Sequence, residues 1–197
     1  MAADRLCGTM QRLLQEKRLL AHNIANLEQR NVVDALTGLG NLRYLRQRLG
    51  DALRQLESRG GALCYLLIGL DDPANRRNRG EGLQRELLYN VACRLRNMLR
   101  PLDALVRLDD SHFAVVAMVD DLRECSHSSF RRLHDSLNLK ALKTSEGFIT
   151  LKAGISLVGL DTKALPLDAE ELLEKAAAML PEAYASGRVT ALRLPQP

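Results

Sequence analysis

Apolar positions along this chain recur with two different periods, and the switches between them mark out its elements. Leu6, Leu13, Leu20 and Leu27 stand seven apart, with Met10, Lys17, Ile24 and Asn31 four residues after each, in a segment (4–33) free of proline. This heptad series predicts a helix, and leucine at every d position with two polar a positions favours a two-stranded parallel coiled coil. Leu14 and Leu19 broaden the stripe, so a helix packed on its own domain is the alternative. Further on, the pattern predicts a helix over 41–58, stopped by Ser58-Arg-Gly-Gly61, and then a buried strand, Ala62–Leu70. Leu83, Leu87, Leu88, Val91, Leu95, Met98 and Leu99 have helical spacing over 83–100, closed by Pro101. Ala104–Leu108 and Phe113–Val119 read as two strands of a hairpin, followed by a helix near 121–137 and a strand element Phe148–Val158. A helix near 168–180 and a last strand, Arg188–Leu194, complete the order. The expected organisation is an N-terminal helix (1–33) and one α+β domain (34–197) with a mixed sheet flanked by helices.

Composition narrows the function classes. The 197 residues suit one domain plus an extra element, and a hydrophobic content of 46% is enough for a core. Aromatics at 4% weaken any reading as a single-strand stacking platform. A net charge of +4 permits anionic ligands without requiring a nucleic acid polymer. No stretch approaches 18 apolar residues and Met-Ala-Ala-Asp-Arg opens no signal peptide, so a soluble cytoplasmic chain without direct membrane insertion is expected. Cys7, Cys64, Cys93 and Cys125 show no CxxC spacing, and Cys64 and Cys93, in apolar patterns, are expected to be buried reduced thiols. His112, His127 and His134 match no zinc pattern and read as surface residues. Gly80-Glu-Gly82 lacks a following Gly-Lys-Ser/Thr and reads as a loop; Asn75 to Arg79 is a basic loop, solvated by default and a partner contact in the sharper reading.

The chemistry lies in Arg100-Pro-Leu-Asp103 and, five residues later, Asp109-Asp110-Ser111-His112-Phe113 at the hairpin tip. Asp34-Ala-Leu-Thr-Gly-Leu-Gly-Asn41, where the N-terminal helix meets the domain, resembles the Asp-x-Leu-Thr-Gly-Leu-x-Asn opening of GGDEF (diguanylate cyclase) domains. Arg107-Leu108, Phe113, Thr150-x-x-x-Gly154 and Gly187-Arg188 extend the resemblance over 34–194. It implies a nucleotidyl-cyclase-like fold and a bacterial source.

The resemblance also shows what is missing. In active members, an aspartate ending the first strand and an acid in the hairpin hold Mg²⁺ against GTP phosphates, since magnesium demands hard oxygen ligands. Those positions are Gly69 and Ser111 here, which implies a degenerate, catalytically silent domain with no catalytic residues, no metal and no cofactor. The family's two hairpin glycines are Asp109 and Asp110, expected to tolerate a positive φ and to project carboxylates toward the nucleotide. A phosphate-contacting basic position has become Tyr184, although Arg188 remains. Arg100 and Asp103, by contrast, match the Arg-x-x-Asp inhibitory site for the product, cyclic di-GMP. Arginine can hydrogen-bond the O6/N7 edge of guanine in bidentate fashion, and aspartate can accept from its N1–H and N2–H₂ edge. Gapless counting from Phe113 brings a third family contact to Arg131, with Arg132 beside it.

The resulting expectation is a cyclic di-GMP receptor, homodimeric through residues 4–33, that signals by rearranging the dimer or a protein partner. Two alternatives stay open: a ligand-independent dimerisation or scaffolding module that binds a protein partner, and a residual GTP-binding or cyclase enzyme. In either, Arg100 and Asp103 would form an ordinary surface ion pair.

Overall fold

In the computed structural model, residues 13–21, 31–71 and 80–194 are described. Two compact units divide the chain at Val32/Val33. Of the first, residues 13–21 are helical, and the remaining heptad positions up to residue 30 lie outside the described residues.

The second unit is built on one five-stranded sheet, ordered β2-β3-β1-β6-β7. Its elements are α1 (Leu42–Arg59), β1 (Ala62–Asp71), α2 (Glu81–Met98), β2 (Ala104–Arg107), β3 (His112–Val119), α3 (Arg131–Asn138), β4 (Leu142–Thr144), β5 (Gly147–Ile149), β6 (Lys152–Asp161), α4 (Ala169–Ser186) and β7 (Val189–Leu194). β6 and β7 run parallel and every other neighbouring pair is antiparallel, which makes the domain α+β with a mixed sheet. β1 is central and both its faces are covered: Cys64, Leu66 and Ile68 pack with α2 and α3, while Leu63, Tyr65 and Leu67 pack with α1 and α4. That is why its sequence is apolar throughout rather than alternating. The register aligns Gly69 with His112 on one side and with Gly154 on the other, so all three lie at one end of the sheet.

Asp34 to Asn41 forms a structural clasp. Asp34 Oδ1 accepts hydrogen bonds from Thr37 N (2.9 Å) and Thr37 Oγ1 (2.6 Å), Gly38 supplies a φ of 68°, and Asn41 caps α1 by accepting from Tyr44 N (3.1 Å). Arg107 Nη1 then donates to Asp34 Oδ2 at 2.7 Å, with 12% and 19% of the two side chains exposed. Burial alone would raise the Asp34 pKa, but the Thr37 hydrogen bonds and the Arg107 guanidinium outweigh it and hold the carboxyl below its ordinary value. Its contribution to stability is therefore complete above the unfolded-state value of 3.8 and is lost as pH falls through the lower native value. Asp34→Ala, which takes from the buried Arg107 guanidinium its less exposed carboxylate and leaves it only the exposed Asp110, is expected to cost about 3 kcal/mol in urea unfolding at neutral pH. A cost near zero would reduce the clasp to a surface pair.

Four expectations need correction. The helix expected near 121–137 is a 3₁₀ turn at Leu122–Glu124, a loop, and then α3. Asp121 and Glu124 close a capping box, and Ser126 Oγ bonds the hydroxyls of Ser128 and Ser129 (2.9 and 3.0 Å), competing with helical pairing. The strand element Phe148–Val158 is two strands: β5 pairs with β4 in a separate hairpin, and only β6 joins the main sheet. The helix near 168–180 runs through Pro181 to Ser186, because Leu172, Ala176, Leu180 and Ala183 form a buried face. Ala177, whose carbonyl loses its helical partner to the proline, is exposed to water. Finally, Cys64 is not a free thiol: it is disulfide-bonded to Cys125, with Cα atoms 5.6 Å apart, while Cys93 is free and partly exposed. The partners lie 61 residues apart, beyond the reach of any local pattern.

Candidate functional site

At the Gly69 end of the sheet, a tyrosine ring lies against two strands. α4, extended past Pro181, lays Tyr184 across Gly69 and Gly154. A Cβ added to Gly69 would collide with Tyr184 Oη and sit 2.9 Å from Leu180 Cδ2; one added to Gly154 would lie 2.8 Å from Tyr184 Cδ1. Both strands must therefore carry glycine beneath this ring.

In the adjoining hairpin both acids are hydrogen-bonded while staying exposed, Asp109 by 56% and Asp110 by 79% of the side chain. Asp109 Oδ1 accepts from Ser111 N (2.7 Å), Ser111 Oγ (2.9 Å) and His112 N (2.9 Å), closing the turn through its own side chain. The Asp109 carboxyl is held below its ordinary value: burial would raise it, and the bonds from Ser111 and His112 outweigh that. Asp110 Oδ1 takes Arg107 Nη2 at 2.6 Å. No non-glycine residue among those described has a positive φ, so the expectation of that backbone for Asp109 and Asp110 is corrected. Their carboxylates are engaged by the turn and by Arg107. Among the described residues no group of three or more His, Cys, Asp or Glu is placed to hold a metal ion.

The second candidate region lies where α2 ends. Leu99 adopts extended backbone (ψ 158°), and a turn follows in which Asp103 N donates to the Arg100 carbonyl (3.0 Å) and Asp103 Oδ2 accepts from Arg100 N (2.9 Å). This fixes the aspartate and leaves the Arg100 guanidinium exposed, without a carboxylate partner among the described residues. The two side chains border cavities on both sides of the turn. One, of about 310 Å³, is also lined by Asn97, Phe130 and Arg132; the other, of about 560 Å³, by Arg48, Gln55 and Leu102. Phe130, which precedes α3, gives that helix no side-chain cap, and the first N–H of the helix, that of Arg131, donates to the Ser128 carbonyl at 3.4 Å. Burial pushes the Asp103 carboxyl above its ordinary 3.8, against the opposing pull of Arg100.

Of the four residues expected to bind ligand, Arg100, Asp103 and Arg132 border one cavity, whereas Arg131 borders a different one. Arg131 turns back along its helix to Asp135, 3.5 Å away. Gapless counting could not separate neighbours whose side chains point about 100° apart on a helix. Arg48 and Asn97 carried no sequence signal toward this region, and neither did the ring of Tyr184 as an occupant of the other.

Residues 31–190 match the family described as diguanylate cyclase, GGDEF domain. The chain belongs to the GGDEF family. Diguanylate cyclase DgcS of Shewanella oneidensis is 24% identical over 188 residues, covering 89% of this chain and 57% of DgcS. The chain thus spans a little over half the length of that relative. Among solved structures, the FimX GGDEF domain from Pseudomonas aeruginosa superimposes with a TM-score of 0.72 at 20% identity, covering 83% of this chain and 99% of FimX's. The coiled coil and GGDEF domain of DgcB from Caulobacter crescentus, crystallised with c-di-GMP, gives 0.68 at 17% identity and covers 95% and 99% of the two chains. At these identities the structural likenesses establish the fold. No helix among the described residues is long and apolar enough to cross a membrane.

Proposed function

We propose that this GGDEF domain is a catalytically silent receptor for cyclic di-GMP, read by Arg100, Asp103 and Arg132. The observation that carries the reading is the contrast between the two ends of β3. One holds an exposed arginine and a fixed aspartate beside open cavities, while Tyr184 fills the other over Gly69 and Gly154. Two-metal phosphoryl transfer needs its acids placed around an open site, and a ring in that space excludes both metal and triphosphate. Guanine recognition needs a bidentate donor beside an acceptor, which the Arg100–Asp103 turn supplies. Arg132, with no carboxylate partner among the described residues, adds positive charge suited to a phosphodiester.

Dimerisation through residues 4–33 completes the proposal. What supports it is the heptad spacing of the leucines; Leu13 and Leu20 are exposed on the described helical segment, as are Leu14 and Leu19. Ligand then signals by binding one dimer or partner arrangement more tightly than another. Such a receptor works in the cytoplasm and needs no cofactor.

Incubation with GTP and Mg²⁺, followed by chromatography, tests the silent half and should yield no cyclic di-GMP; appearance of the product would reverse the reading. The receptor half makes a pH prediction. The guanine N–H groups require ionised Asp103, whose pKa is raised, so cyclic di-GMP affinity should begin to fall at a pH above that of an ordinary aspartate's 3.8. Fluorescence-monitored titrations across the acid range read this directly. A profile flat until pH 3.8 would remove Asp103 from the contact.

A further inference from the structure

The cavity of about 310 Å³ at the Arg100 turn is lined by more than the groups that read a base edge. Alongside Arg100, Asp103 and Arg132 it takes in Met98, Val119 and Phe130. Phe130 is the only aromatic residue in the lining of either cavity at that turn. A purine carries its hydrogen-bonding groups on its edges, while its two faces are apolar and stack on aromatic rings. The Arg100–Asp103 turn supplies edge contacts alone, which leave both faces of the base in water unless a further group covers one of them.

Phe130 is also held in place from several sides. It is the residue before α3, and its carbonyl accepts from His134 N at 3.1 Å. Its side chain is partly buried, packed against the core cluster that contains Leu133 and Leu137, and still borders the cavity. The loop that delivers it is tied down at Cys125, by the disulfide to Cys64 of the central strand and by Arg193 Nε, which donates to the Cys125 carbonyl at 3.0 Å. The ring is thus carried by the sheet rather than by a free loop, and little side-chain or loop freedom is left to lose when a base settles on it.

We infer that Phe130 is the stacking platform for a guanine base of cyclic di-GMP, an inference that rests on the receptor reading above. Arg100 and Asp103 select the base by its edges, and Phe130 holds it by its face. The residue contributes affinity without reading sequence, because every base offers a π-face. A leucine in its place keeps an apolar side chain against the core and loses the ring.

Cyclic di-GMP titrations of the full chain test this in the wild type, Phe130→Leu, Phe130→Tyr and Phe130→Trp, each run well below the variant's melting temperature. Phe130→Leu should weaken binding about tenfold, whereas Phe130→Tyr, which keeps a ring, should bind as the wild type does. The chain contains no tryptophan, so Phe130→Trp places a single indole at the proposed contact. Its emission should be quenched by the stacked base, saturating at the midpoint that calorimetry gives for the same variant. Equal affinity in Phe130→Leu and the wild type, a loss in Phe130→Leu that Phe130→Tyr shares, or tryptophan emission unmoved at saturating ligand overturns the stacking contact and leaves the receptor reading standing. Absence of binding in the wild type is the separate outcome that removes the receptor reading and this contact with it.

Discussion

Gly69→Asp is expected to destabilise the domain by about 3 kcal/mol and to restore no cyclase activity. The new Cβ meets Tyr184 Oη and Leu180, so either the ring leaves the sheet or β1 shifts. In addition, a carboxylate is placed under a half-buried ring, where desolvation penalises its charge. Tyr184→Ala in the same background should recover most of the loss, and urea unfolding of the two single variants and the double variant measures that coupling. Removal of the ring alone leaves a cavity over two glycines and is expected to cost about 2 kcal/mol. The double variant should therefore be far more stable than the two separate costs imply. Additive costs would mean that ring and glycine are independent, and the account of the filled site would fail. GTP turnover in Gly69→Asp alone would show the ring to be no barrier.

Arg100→Ala should weaken cyclic di-GMP binding about a hundredfold, because a bidentate contact to a guanine edge is lost and Asp103 no longer has the neighbouring guanidinium. Arg132→Ala, which removes a phosphate contact that is not bidentate to a base, is expected to cost about tenfold. Arg131→Ala should leave the affinity unchanged, since that side chain borders another cavity and pairs with Asp135. The order Arg100, Arg132, Arg131 follows from the geometry of α3, whereas gapless counting would rank Arg131 above Arg132. Equal losses at Arg131 and Arg132 would show that α3 turns on ligand binding.

The sheet was legible because burial on both faces leaves a continuous apolar run. Ala62–Leu70 was placed to within a residue of β1, and α1 and its glycine stop were equally plain. Several of the missed features depend on tertiary context. Nothing local shows that Pro181 can be carried inside a helix whose opposite face is buried, yet that extension delivers Tyr184 to Gly69. That Gly69 and Ser111 stand where the family resemblance implies acids was legible in the sequence, but the ring over Gly69 was not. Asp109 followed the same logic: its residue type announced a turn, while the choice between projecting outward and capping its own N–H groups was made by Ser111 and His112. The Cys64–Cys125 bond joins β1 to the loop after β3, and no periodicity carries a pairing over that separation.

Side-by-side calorimetric titrations of the full chain with cyclic di-GMP and with GTP plus Mg²⁺ put the whole proposal at risk at once. Saturable heat from the dinucleotide at micromolar concentration, absent in Arg100→Ala, and no heat from GTP are the predicted results. Silence with cyclic di-GMP, or GTP–Mg²⁺ binding that survives with Tyr184 in place, would contradict them.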